Sequence, residues 1–153
     1  MTEPIPPKMR NVKMVTLYHF TSELHLPLIL EGGSLYTTES NISLRKPHAG
    51  PDVVWLTTHQ AADARHGLHH SFVDKTRIRF TVSFRARDVH KWRPWARSHG
   101  VDPRWLDALA VSGGSSSWRV CTHPIDECDW VEIRDMVTGQ VIDDIEYMEG
   151  IGA

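Results

Sequence analysis

The chain is poor in cysteine. Cys121 and Cys128 are the only two in 153 residues. They are too few for a disulfide scaffold, and their spacing is not the C-x-x-C of redox or zinc sites, so the expectation is a reduced, cytoplasmic protein. Long apolar runs are missing as well: none approaches the roughly 20 residues that span a bilayer. The opening MTEPIPPKMR has no apolar stretch of the signal-peptide kind, and no membrane partner is expected. A formal net charge of −2 gives no compositional case for a nucleic-acid or membrane surface. Signatures of covalent catalysis are absent too. There is no G-x-S-x-G elbow, and Gly113-Gly114 leads into serines without the lysine of a phosphate-binding loop.

Histidine, by contrast, is abundant, with ten residues, the densest group being His66, His69 and His70. On a helix His66 and His70 would share a face and suit a metal. Gly67 weakens that helix, however, and no H-E-x-x-H glutamate intervenes; no metal is assigned. The length fits one domain, placed at 12–153 behind an extended leader, 1–11, whose prolines are Pro4, Pro6 and Pro7. Charge is locally uneven. Thr76 to Arg97 holds six arginines and Lys91 against one acid, Asp88, whereas Asp126 to Glu149 is acidic. The basic run either meets phosphates or pairs with the acidic segment across the fold.

Two short apolar stretches, LYHFTS (Leu17 to Ser22) and VVWLTT (Val53 to Thr58), read as partner strands. Alternation sends Tyr18 and Phe20 to one face of the first and His19 and Thr21 to the other. Thr21 or Ser22 is placed to cap a helix that follows, in which Leu24, Leu28 and Ile29 share a face. Pro27 moves the helix start towards Leu26, and Gly32 and Gly33 stop it. A short strand at Leu35 and Tyr36 and a polar loop to Gly50 come next. A short helix is expected over Gln60 to His66. In Lys75 to Phe84 the residues Ile78, Phe80, Val82 and Phe84 alternate with Arg77, Arg79, Thr81 and Ser83, a strand with one wet face. Short helices across Asp88 to Ala110, a flexible GGSSS connector, and strands at Trp118 to Thr122, Trp130 to Arg134 and Gln140 to Met148 with a turn at Thr138-Gly139 complete the chain. The fold class is α+β with antiparallel sheets.

The order of these pieces resembles the ADP-ribosyltransferase superfamily, nearest the branch of the RNA 2′-phosphotransferases and DarT-type DNA ADP-ribosyltransferase toxins. The matching residues are Tyr18, His19 and Thr21, then Leu28, Ile29, Leu30, Gly33 and Leu35, then Val54, Leu56, Thr57, Ala64 and Gly67. They cover roughly the first 85 residues, in short, degenerate motifs. The resemblance implies split antiparallel sheets with short flanking helices and a cleft that takes NAD as substrate. It also implies that His19, with Phe20, Thr21 and Thr57 beside it, seats the nicotinamide side, that Tyr36 stacks on the nicotinamide, and that Arg45 meets phosphate, with Arg65 second. A late carboxylate would stabilise the cationic sugar as nicotinamide leaves. Glu132 is the first choice, since it alternates away from Val131 and Ile133, and Glu127 and Asp129 are the alternatives. A mechanism without a glutamate, as in the phosphotransferase branch, stays open. The acceptor is a nucleic acid or another group that the resemblance does not name. Two rival readings stand beside this one. The first is a catalytically inactive module that binds a nucleotide or nucleic-acid end. The second is a small phage-type interaction or inhibitor protein anchored by its tryptophans.

Overall fold

A computed structural model of the chain describes residues 13–37, 53–62, 75–110 and 114–152. They form an α+β fold around one six-stranded antiparallel sheet. In chain order the elements are β1 (Met14–Thr21), α1 (Leu26–Gly32), β2 (Ser34–Leu35), β3 (Val54–Thr57), β4 (Ile78–Arg85), β5 (His90–Lys91), α2 (Trp92–Ser98), α3 (Pro103–Leu109), β6 (Trp118–Cys121), β7 (Ile125–Asp126), β8 (Trp130–Asp135) and α4 (Asp144–Gly152). The large sheet runs β5-β6-β3-β1-β4-β8, and β2 pairs with β7 in a separate two-stranded sheet.

The expected partnership of LYHFTS with VVWLTT forms, with Tyr18 opposite Thr57. β4 lies on the other side of β1 along its whole length, from Met14–Arg85 to Thr21–Ile78. Its alternation is the one the sequence shows. Ile78, Phe80, Val82 and Phe84 are buried and the intervening residues are not.

The two faces of the sheet carry different cores. On one face Leu17, Leu56, Phe80, Val82 and Ile133 pack under Leu26 of α1 and under Leu35 and Ile125 of the small sheet, with Ile142 and Tyr147 beside them. On the other, Trp92, Trp95 and Ala96 of α2 and Leu106 of α3 cover Val53, Trp118 and Val120. These helices cover only the β5-β6-β3 end. At the β1-β4-β8 end of that face Phe20 is buried and Tyr18, Arg79 and Glu132 are half-buried. Trp55 joins the tryptophan core, its ring 6.1 Å from that of Trp92 and 6.0 Å from that of Trp118, and Trp130 packs at 5.0 Å on Phe80. The five tryptophans whose side chains are described thus pack against one core or the other, Trp130 on the first and Trp55, Trp92, Trp95 and Trp118 on the second.

Several expectations need correction. Helix α1 starts at Leu26 with Pro27 in its first turn and ends at Gly33, whose φ is 70°, but it buries Leu26 and leaves Leu24 and Leu28 exposed. Leu24 precedes the helix, so it does not share the face predicted for it. The cap is also different. Ser22 Oγ accepts from the His25 backbone N–H at 3.3 Å, and no side chain caps α1. Ser115–Ser117 is a 3-10 turn rather than a loose connector, tied to β3 by the Thr58 N–H on the Ser117 carbonyl at 3.0 Å. The turn at Thr138-Gly139 forms, with Gly139 at φ 76°, yet the strand beyond it shrinks to the single bridge Arg134–Val141. Asp144–Gly152 is a helix instead, because Asp143 Oδ1 accepts from the Glu146 N–H at 3.0 Å, a D-x-x-E capping pattern that favours helix over strand. Gln60 to Ala62 is irregular. The rest of the expected helix to His66 lies outside the described residues, as do the leader, His69, His70, Ala64, Arg65, Gly67 and Arg45. Among the described residues no helix is long and apolar enough to cross a membrane.

Candidate functional site

Antiparallel partners point to the same side of a sheet, so the register assigns each candidate residue a face. His19 is opposite Phe80, and Phe80 is opposite Ile133. That places His19 and, two residues on, Thr21 on the face that meets α1 and the small sheet. Phe20, opposite Arg79, and Tyr18, opposite Thr81 and Thr57, face the other way. Glu132 is opposite Thr81, hence on the Tyr18 face. The residues assigned to one cleft are thus divided: His19 and Thr21 on one side, Phe20, Thr57 and Glu132 on the other.

His19 is held firmly. Its Nδ1 lies 2.7 Å from the Trp55 carbonyl of the neighbouring strand. A carbonyl only accepts, so Nδ1 carries the proton and donates, and Nε2 presents a lone pair. The ring meets Phe80 edge to face at 6.4 Å. Burial pushes its pKa below the ordinary 6.5, against the smaller opposing effect of the Trp55 bond. The imidazole is therefore neutral at pH 7, and among the described residues Nε2 has no hydrogen-bond partner. Thr21 is buried next to it. Thr57 is buried as well, and its Oγ1 accepts from the His59 N–H at 3.0 Å, a local turn bond.

Tyr36 follows β2 and is exposed. Its hydroxyl donates to the Gly32 carbonyl at 3.2 Å, and its ring lies so close to Gly32 that a Cβ there would collide with the hydroxyl. Two of the three late carboxylates stand apart from Glu132. Glu127 and Asp129 belong to the 3-10 turn between β7 and β8. The Glu127 N–H donates to the Gly33 carbonyl at 3.0 Å, which fixes Glu127 at the end of α1, on the small-sheet side to which His19 points.

Glu132 is engaged elsewhere. Arg134 grips it through Nε at 2.8 Å and Nη2 at 3.0 Å, and Arg79 Nη2 reaches the same Oε1 at 3.3 Å. The Arg134 hydrogen bonds come first and outweigh desolvation, the next largest effect; with the Coulombic pull of Arg134 and the hydrogen bond and charge of Arg79 they hold its carboxyl below the usual carboxylate range. The basic run accordingly pairs in part with the acidic segment, Arg79 with Glu132 and Arg77 with Asp135 at 3.2 Å, while Arg77 also meets Glu23, outside that segment, at 3.1 Å.

Register also explains how Glu132 reaches this face. Between Thr81 and Val82 the partner on β8 steps from Glu132 to Trp130, so Val131 is an extra residue, a β-bulge. Strict alternation would put Trp130 and Glu132 on one side. The bulge instead turns Trp130 into the core with Phe80 and lets Val131 and Glu132 look out together, so the predicted alternation of Glu132 with Val131 fails. Both line an open cavity of about 520 Å³ on the Tyr18 face. Tyr18, Gln60, Arg79 and Arg134 line it too, and the sequence does not single them out as parts of a site. Their signal lies in the polar side of the β4 alternation and in the i, i+2 spacing of Glu132 and Arg134.

No family model, curated protein or solved structure matches the chain.

Proposed function

We propose that the chain binds NAD on the His19 side of the large sheet and transfers ADP-ribose from it to an acceptor, with nucleic acid the first acceptor class to try. The reading takes the six-stranded sheet and the facing β2-β7 pair as the split sheets of an ADP-ribosyltransferase-like domain. The observation that carries it is the His19 imidazole. It is neutral, oriented by the Trp55 carbonyl, and free at Nε2 to accept a hydrogen bond from a ribose hydroxyl or the carboxamide N–H. On this reading breaking the N-glycosidic bond leaves positive charge on the sugar, and a nearby carboxylate stabilises it. Glu127, on the side to which His19 points, is assigned that role. Glu132 is not, because it faces away and is bound by two arginines. Nicotinamide release from labelled NAD tests the reading. Release is expected from the wild type and to be lost in His19→Ala and Glu127→Gln. A folded wild type that neither releases nicotinamide nor is stabilised by NAD ends the proposal.

The pairing of Glu132 with Arg79 and Arg134 favours a second reading, a module that binds the nucleotide without cleaving it. Thermal stabilisation by NAD without nicotinamide release would select it. A ligand at 100 times its dissociation constant contributes about 2.7 kcal/mol.

A further inference from the structure

The cavity on the Tyr18 face lies across the sheet from His19 and plays no part in the function proposed above. Tyr18, Arg79, Thr81, Val131, Glu132 and Arg134 line it. Its charged floor holds two guanidinium groups and one carboxylate, a net charge of +1. Both cations are held in place before any ligand arrives. Arg79 has 13% of its side chain exposed, donates from Nη1 to the Gln60 carbonyl at 3.0 Å and lies over the Tyr18 ring with its Cζ 5.2 Å from the centroid. Arg134 donates from Nη1 to the Gly139 carbonyl and directs its Nε–Nη2 fork at Glu132. A guanidinium fork fits a phosphate in the same way as a carboxylate, with two parallel charge-assisted bonds. Among the described residues Glu132 neutralises one arginine and leaves the other uncompensated. The remaining walls mix the polar Gln60 and Thr81 with apolar surface from Met136 and from Val131, which the bulge pushes outward and which is 65% exposed. A volume of about 520 Å³ lies within the range of small-molecule sites, roughly 300–1,000 Å³, and is large enough for a phosphate with a sugar and base attached.

We propose that this cavity binds the phosphate monoester of a nucleotide or of a nucleic-acid end, and that Glu132 is a resident counterion which weakens that binding by occupying the Arg134 fork. A carboxylate with a merely structural role would give the opposite result on removal, since losing it would loosen the arginines and weaken any ligand.

Calorimetric titration with AMP, adenosine, and a short oligonucleotide with and without a 5′-phosphate tests the proposal. The wild type is expected to bind AMP and not adenosine, with affinity falling as salt rises. Glu132→Gln, which keeps the side chain's size and a hydrogen-bonding carbonyl, should tighten AMP binding roughly tenfold. Arg134→Lys, which keeps the charge but loses the fork, should weaken it by a similar factor. His19→Ala should leave it in place. A phosphorylated oligonucleotide that binds more tightly than AMP identifies a nucleic-acid end as the source of the phosphate, and the reverse order a free nucleotide. The proposal is overturned if adenosine binds as well as AMP, if Glu132→Gln weakens binding, if His19→Ala abolishes it, or if neither the wild type nor Glu132→Gln binds AMP. Loss of AMP binding with NAD-dependent nicotinamide release intact would remove this site and leave the His19 reading standing.

Discussion

His19 and Glu132 stand on opposite faces of one sheet, because the register pairs His19 with Phe80 and Glu132 with Thr81. Two groups separated by a layer of backbone cannot hold the same ribose. Glu127, tied to Gly33 at the end of α1, is on the side to which His19 points. Coupling between substitutions is the direct test. Residues without shared partners give additive effects within about 0.3–0.5 kcal/mol, whereas residues acting on one ligand do not. In double-mutant cycles on NAD affinity, His19→Ala with Glu132→Gln should be additive, and His19→Ala with Glu127→Gln should couple by more than about 0.5 kcal/mol. Strong coupling of His19 with Glu132 would rule out the two-sided arrangement.

The buried imidazole fixes a pH dependence of stability. Its folded pKa is lowered from 6.5 by burial, so as pH falls below 6.5 the unfolded chain takes up a proton that the folded chain refuses. Stability at this residue is complete above about pH 7. It declines as pH falls from 6.5 towards the lower folded value, with a slope of at most about 1.4 kcal/mol per pH unit. Urea midpoints between pH 7.5 and 5 should show the decline in the wild type and a shallower one in His19→Gln. Identical slopes in the two proteins would show that another group sets the acid limit.

Phe80 is the point where β1, β8 and the core meet. It is fully buried, touches His19 edge to face and packs on Trp130. Phe80→Ala should cost about 3–5 kcal/mol by chemical denaturation. Because the His19 ring loses its edge contact, NAD-dependent stabilisation should fall as well. Phe84→Ala, in the same core but farther along β4, should reduce stability with less effect on the ligand.

Much of this fold was legible in the sequence. The alternation of Lys75 to Phe84, the strand character of LYHFTS and of VVWLTT, and a helix bracketed by Pro27 and Gly33 depend on single-strand periodicity and local backbone preference, which a sequence displays directly. The failures have physical reasons of their own. Gln140 to Met148 reads as a strand, but the cap formed by Asp143 on the Glu146 N–H decides for helix over Asp144–Gly152. The bulge at Val131 belongs to the register between two strands, and no pattern within either strand records it. The two-sidedness of the candidate site was partly legible, since alternation alone separates His19 from Tyr18. What the sequence did not show was which of these faces Glu132 joins, because that depends on which residue of β4 it meets.

The two glycines that flank the His19 side allow a paired prediction on α1 and α4. Gly33 has φ 70°, and a Cβ there would lie 3.7 Å from Glu127 Oε2, so space is sufficient but the backbone is not. Gly33→Ala should cost about 1–2 kcal/mol through left-handed strain. A Cβ added at Gly150, in α4, would meet nothing within 4 Å among the described residues, and Gly150 has no positive φ. Gly150→Ala should stabilise by up to about 1 kcal/mol. Thermal melts of both variants give the signs, and equal signs would mean that α1 does not end where described.

If Val131 is the extra residue of β8, its removal should be tolerated, whereas removal of a neighbour should not. Without Val131, Trp130 and Glu132 become consecutive and fall on opposite faces by plain alternation, which is where the bulge now puts them. Val131 is 65% exposed, so little apolar burial is lost, and the deletion should change stability by less than about 2 kcal/mol. Deleting Ile133 is an equal shortening with the opposite consequence. Arg134 would replace a buried isoleucine on the Phe80 face, and an unpaired charge there costs several kcal/mol. Urea denaturation should therefore separate a folded Val131 deletion from a largely unfolded Ile133 deletion. If both unfold alike, the bulge is not what sends Trp130 and Glu132 to opposite faces, and the face assigned to Glu132 must be reconsidered.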